Sequence, residues 1–280
     1  MFAVSRAAII LMCAFLVALP GNAADGGSDH SSGSPTVQPS NQGASEAIVI
    51  GFLGGFVSHD EPHHPEGQMI RGLRQEYLGD VYFNIFENRK VGEAYKAILK
   101  RLGASGGGAS LADHKRRACI VLFGHSWGAS AVVALSRKLE RANIPVALTI
   151  QIDSVEKPFQ NDWLIPPNVV QAVNYYQTHG LVHGRQRILA ADPAQTTILG
   201  NYLWVYKGDP AECHGFSWRG RLLSRGHTQI ECDSEMWLQV ETLVRSHLPN
   251  PAPGEPLPSA RTILSSETLR EQVFADHAQE

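Results

Sequence analysis

Ala118-Cys119-Ile120-Val121-Leu122-Phe123-Gly124-His125-Ser126-Trp127-Gly128-Ala129 is the stretch that decides how this chain folds. Ala118 to Phe123 is an apolar run of strand length without polar alternation, the pattern of a strand buried on both faces. From Ser126 to Arg141, Ala129, Val132, Val133 and Leu139 fall on one helical face, and the small residues Gly128, Ala129 and Ala131 let that helix lie close to a sheet. A strand that passes into a helix through Gly-x-Ser-x-Gly must turn tightly, and the flanking glycines permit it. The turn lifts the Ser126 hydroxyl clear of the sheet edge, where a base can take its proton.

On either side, apolar runs of strand length alternate with amphipathic helical patterns, the signature of a mainly parallel sheet flanked by helices. The strand candidates are Ala47–Ile50, Val81–Phe86, Ala118–Phe123 and Val146–Ile152, with a further strand-like run over Thr196–Tyr206. Between the second and third, Val91, Ala94, Tyr95, Ile98, Leu99 and Leu102 give Val91–Leu102 one apolar helical face. Pro166-Pro167-Asn168 is expected to open another helix through about Tyr176, since proline is tolerated in a first turn. A last helix starts at Asp233 or Ser234, either of which can cap it, and buries Met236, Trp237, Val240, Leu243 and Val244.

The Gly124-His125-Ser126-Trp127-Gly128 turn, with its strand before and helix after, resembles the nucleophile elbow of the α/β-hydrolase superfamily, in its lipase and esterase branch. The resemblance spans about residues 47 to 248. It implies a single α/β domain and a triad in the order Ser, acid, His, with Ser126 as nucleophile. It further implies an oxyanion hole that uses the backbone N–H of Trp127 and a second donor from the loop after an earlier strand. Gly51-Phe52-Leu53-Gly54-Gly55 follows Ala47–Ile50 directly, so Phe52 or Leu53 is expected to supply that donor.

Two aspartates suit the acid. Lipase-like members place it after the strand that here ends at Asp153, and other members place it one strand later, where Asp209 stands. Asp153 is preferred, because an aspartate closing an otherwise apolar strand needs a reason. Of the twelve histidines, the resemblance implies that the base lies in a loop just before the final helix, which selects His227; His214 and His183 are weaker rivals. His125 is expected to point away from its serine. Carboxylic esters, small or lipid, are the substrates the resemblance implies. Thioester or amide hydrolysis on the same triad, or a binding protein on a hydrolase scaffold without turnover, are the alternatives. The segment Pro158–Gly184 carries Phe159, Trp163, Leu164, Ile165, Tyr175 and Tyr176, and either caps an acyl pocket or packs on the sheet.

The ends of the chain differ from its middle. Arg6, the apolar run Ala7–Leu19, Pro20-Gly21 and Ala23-Ala24 read as a secretory signal over 1–23, too short for a bilayer span of about 20 residues. A Gly/Ser-rich linker follows over 24–45, the hydrolase domain over 46–248, and a Pro-rich tail over 249–280. An exported protein, periplasmic or extracellular, can keep disulfides, and Cys213 with Cys232 form the expected pair, flanking His227; such a loop contributes about 3 kcal/mol in the chain-entropy model. Cys119 reads as a small buried thiol in its strand. His59, Asp60, His63 and His64 gather in one polar loop, but their spacing fits no common metal site, and no metal or cofactor is expected. A net charge of −3 argues against nucleic-acid binding, and the basic stretch Arg219, Arg221, Arg225 reads as a solvated surface.

Overall fold

The computed structural model describes residues 46–55, 64–77, 79–104, 112, 115, 117–158, 160–206 and 225–251. The expected signal, linker and most of the tail lie outside these residues, as do His59, Asp60, His63, Phe159, Asp209, Cys213, His214, Arg219 and Arg221. Chain order is β1 (Ala47–Leu53), α1 (Pro65–Glu76), β2 (Val81–Glu87), α2 (Val91–Ala104), β3 (Cys119–His125), α3 (Trp127–Glu140) and β4 (Val146–Ile152). It continues with β5 (Leu164–Ile165), β6 (Val169–Tyr176), β7 (Leu189–Ala190), β8 (Thr197–Leu203), α4 (Arg225–Cys232) and α5 (Ser234–Arg245).

Six strands form one parallel sheet in the order β2-β1-β3-β4-β6-β8, and β5 pairs with β7 separately. Every residue of β1 is buried. Its even and odd positions feed two cores: Ala47 and Val49 join Met69, Ile70 and Leu73 of α1 with Trp237, Val240 and Val244 of α5. Ile48, Ile50 and Phe52 join Ile98 and Leu102 of α2 with Val132, Leu135 and Leu139 of α3. Helices therefore cover both faces, which is the α/β architecture expected of a hydrolase-type domain. Each fully buried Ile or Leu contributes about 1.5–3 kcal/mol relative to exposure.

β1 has β2 on one side and β3 on the other, so the connections leaving β1 and β3 diverge to opposite faces. In open α/β sheets such a switch point opens a crevice at the carboxyl ends of the two strands. Leu53 and His125 end those strands, which places Gly54 and Ser126 at the crevice.

Two expectations need correction. The segment after Pro166-Pro167 is not a helix but β6: Val169, Val170, Val173, Tyr175 and Tyr176 are β-branched or aromatic, and the strand is held between β4 and β8. The prolines only shape the turn that feeds it, and Asn168 pins that turn by donating from Nδ2 to the carbonyls of Ser136 and Ile144 at 3.1 and 2.9 Å. Within Pro158–Gly184, of the two roles open to the segment, Val169–Tyr176 takes the one of packing as sheet, with Tyr175 in the core. Phe52 and Leu53 are strand residues, not loop residues, because β1 runs on to pair with Phe86 and Glu87 of β2.

β3 likewise extends through Gly124 and His125, with Gly124 opposite Phe52 of β1 and Gln151 of β4. A Cβ on Gly124 would stand 2.6 Å from the carbonyl carbon of Gly128, and one on Gly128 would overlap the Phe52 carbonyl. Gly124 is thus where β3 meets α3 and Gly128 where α3 meets β1, and these backbone atoms cannot yield as a flexible side chain would. Gly128→Ala is expected to cost about 3 kcal/mol by overpacking and to lower the melting temperature by about 6–12 °C, read by thermal denaturation.

Candidate active site

Ser126 stands between β3 and α3 with φ 57° and ψ −125°. A serine before a helix usually turns its oxygen onto the first-turn N–H groups, worth about 1 kcal/mol. Here the side chain makes no cap. The left-handed backbone, disfavoured by about 1–2 kcal/mol for a residue with a Cβ, aims Oγ elsewhere. It meets Nε2 of His227 at 2.8 Å.

The far side of that ring reaches a carboxylate: Nδ1 of His227 donates to Oδ2 of Asp153 at 2.6 Å. An ionised carboxylate only accepts, so the proton of the imidazole sits on Nδ1 and the lone pair of Nε2 faces the serine hydroxyl. Asp153 follows β4 with φ 44° and is fully buried. Its Oδ1 accepts from the Gly184 N–H at 2.6 Å, and Oδ2 accepts from Nε2 of Gln177 at 2.8 Å. Burial pushes the Asp153 carboxyl up, but the hydrogen bond and charge of His227 and the bond from Gln177 outweigh it and hold the group below the usual carboxylate range. A side chain at Gly184 would overlap the Asp153 backbone, so glycine is needed for this approach.

His227 lies within α4, not in a loop. Gly226 before it presses against the Gln177 side chain and the His179 carbonyl, where a Cβ would collide with both. The turn that holds Asp153 therefore also receives the helix that carries His227. Of the rivals, His183 faces the Gly184 carbonyl at 3.5 Å and stands outside this chain of hydrogen bonds. His247 bonds to Leu243 and Gln171.

Gly54 is the first residue beyond β1, and a Cβ on it would lie 3.2 Å from Cβ of Ser126. The loop is tied down from β2: Nδ2 of Asn88 donates to the Gly55 carbonyl, and Nζ of Lys157 donates to Oδ1 of Asn88 at 2.6 Å. The same ammonium lies 6.0 Å from the centre of the Trp127 ring. Trp127 opens α3, and first-turn N–H groups have no acceptor within their helix.

Sequence reasoning missed a layer of side chains beside these. His125 is buried and its ring lies against that of His227, with centres 4.5 Å apart. Its Nδ1 is 3.5 Å from Oε2 of Glu231. Burial lowers the His125 pKa to about 4, so the imidazole is neutral. The other oxygen of Glu231 meets Nδ1 of His64 at 2.7 Å, and Glu66 is buried nearby. The i, i+4 spacing of His227 and Glu231 is the signal that would have found Glu231, had α4 been read as a helix. Cys119, expected to be buried, is half-buried, and its thiol donates to the His247 carbonyl at 3.1 Å.

Among the described residues no helix is long and apolar enough to cross a membrane. Comparison of the sequence with protein-family models and with curated proteins finds no match. Among solved structures, a cutinase-like protein from Cryptococcus sp. is similar at 15% identity and a TM-score of 0.35, over 72% of this chain and 94% of that one. RedJ with a PEG molecule bound in the active site is similar at 13% identity and a TM-score of 0.30, over 72% and 96%. A protein from Xanthomonas campestris pv. campestris described as a putative hydrolase of the α/β superfamily is similar at 14% identity and a TM-score of 0.28, over 52% and 87%. These are distant likenesses, and the chemistry of the site rests on its own geometry.

Proposed function

We propose that this chain is an exported serine hydrolase, periplasmic or extracellular, that cleaves carboxylic esters of small or lipid molecules. The observation that carries the reading is the unbroken hydrogen-bond chain from Ser126 Oγ through His227 to Asp153, with the serine held at a positive φ. In this reading Nε2 of His227 takes the hydroxyl proton as Oγ bonds to the ester carbonyl carbon, and the carbonyl π electrons move to its oxygen. As the carbonyl reforms, the alcohol leaves with the proton held by His227. Water then gives its proton to His227, attacks the acyl carbon, and Ser126 departs with that proton restored.

The negative oxygen needs donors in place before it forms. The Trp127 N–H is one. The second is Phe52 or Leu53 at the end of β1, with the Gly54-Gly55 backbone, which leaves that strand beside Ser126, as a further candidate. Asn88 sets that backbone without touching substrate. Asn88→Ala is expected to lower kcat about 10- to 100-fold with little change in KM, because the donors lose alignment and binding surface is kept.

The reading includes a bond between Cys213 and Cys232, the two cysteines that flank His227 in the sequence. It closes α4, the helix of the base. Reduction is expected to lower both the melting temperature and ester turnover, and a thiol titration before and after denaturant follows the bond.

A panel of p-nitrophenyl esters of increasing acyl length, run beside labelling with a serine-directed phosphonate, tests the function. Turnover together with labelling at Ser126 supports it. Labelling without turnover on esters, but with turnover on thioesters or amides, replaces the substrate class. Neither labelling nor turnover overturns the enzyme reading.

A further inference from the structure

A second group of titratable side chains lies beside the Ser126–His227–Asp153 chain and takes no part in it. His64 precedes α1, Glu66 is in its first turn, and Glu231 follows His227 by one turn of α4. One ligating atom from each lies within 4.8 Å of the other two. Glu66 is fully buried, and neither carboxylate oxygen has a hydrogen-bond partner among the described residues. A second buried carboxylate faces it, and one imidazole is shared between the segments. Such a set is stable only if something positive, a proton or a cation, occupies its centre.

We propose that His64, Glu66 and Glu231 bind one divalent transition-metal ion, Zn2+ in preference to Mg2+ or Ca2+. An imidazole with two carboxylates is a donor set that zinc accepts, whereas Mg2+ and Ca2+ favour oxygen alone. Bonds of about 2.1 Å in a tetrahedron put ligand atoms about 3.4 Å apart. The His64–Glu231 distance of 2.7 Å and the 4.8 Å limit of the cluster bracket that value, so small side-chain rotations suffice. One oxygen of Glu66, Oε1 of Glu231 and Nδ1 of His64 supply three positions of the tetrahedron, and solvent takes the fourth. Nδ1 of His125, 3.5 Å from Oε2 of Glu231, faces the oxygen left over and orients that ligand from behind.

Burial, reinforced by the nearby Glu231, raises the Glu66 pKa, so without an ion the site holds a proton there that the ion displaces. The ion joins the start of α1 to α4 and so braces the helix that carries His227. Its binding does not depend on Ser126 or on the hydrolase reading.

The test uses the purified full-length protein, stripped with a chelator and then titrated with Zn2+ by calorimetry, with metal content and melting temperature measured in parallel. One equivalent of Zn2+ and a raised melting temperature are expected. Glu66→Leu replaces an unpartnered buried carboxylate by an apolar side chain of similar size, so it should fold at least as well without metal and bind Zn2+ about 100-fold more weakly or worse. Should Glu66→Leu fail to fold, Glu66→Gln keeps the shape and must show the same loss. His227→Ala should keep the zinc site, which separates it from the cluster His125, Asp153 and His227, whose ligating atoms also lie close together. Absence of Zn2+ binding at 100 µM, survival of tight binding in both Glu66 variants, or loss of it in His227→Ala overturns the proposal.

Discussion

Replacing Ser126 by alanine is expected to lower kcat for a p-nitrophenyl ester about 10^4- to 10^6-fold and to abolish phosphonate labelling. Only Oγ is positioned on Nε2 of His227, and no other hydroxyl enters that chain of bonds among the described residues. Stability should change little in the same variant. Alanine keeps the left-handed backbone at 57°, and the lost hydrogen bond is worth about 1 kcal/mol. Ser126→Gly is equally inactive but relieves the backbone, so it should melt about 2–4 °C above Ser126→Ala. A Ser126→Ala protein that keeps a tenth of its turnover would remove the serine from the mechanism.

Asp153→Asn should have the second-largest effect, a fall in kcat of about 10^4-fold. The reason lies in the donors around it. Gly184 N–H, Gln177 Nε2 and His227 Nδ1 all point hydrogens at the carboxylate. An amide nitrogen must turn a hydrogen toward one of them, and if the ring responds by moving its proton to Nε2 it can no longer accept from Ser126. Stability should fall too, by about 2–3 kcal/mol for donors left facing a donor in a buried site. The acid limb of the stability curve should also change. Asp153 has its pKa depressed by folding, so its contribution is present above the unfolded carboxylate range and disappears as pH falls through the lower folded value. The amide that replaces it does not titrate. Melting temperatures of the two proteins should therefore converge as the solution is acidified through that window, and parallel curves would contradict the ionised carboxylate.

What could be read from the sequence was what neighbouring residues decide. β3, the elbow and α3 follow each other without interruption, and apolar pattern plus two glycines were enough. The helix cap at Asp233 was local as well: its side chain accepts from the N–H groups of Glu235 and Met236. β6 was misread because Val169–Tyr176 becomes a strand by lying between β4 and β8, elements far from the Pro166-Pro167 pair that suggested a helix. α4 was missed because it is short and polar, opening with Arg225-Gly226, and is held by packing of Gly226 on the Gln177 turn. The two-carboxylate cluster could not be seen in one dimension at all. Glu66 and Glu231 look like ordinary surface acids until α1 and α4 close over them.

The residue separations along the triad are large, 101 positions from Ser126 to His227 and 74 from Asp153 to His227. Synthesis past position 227 therefore comes before the imidazole can meet the serine, and under the proposed function the three groups assemble only when α4, which follows every strand of the sheet, docks on it.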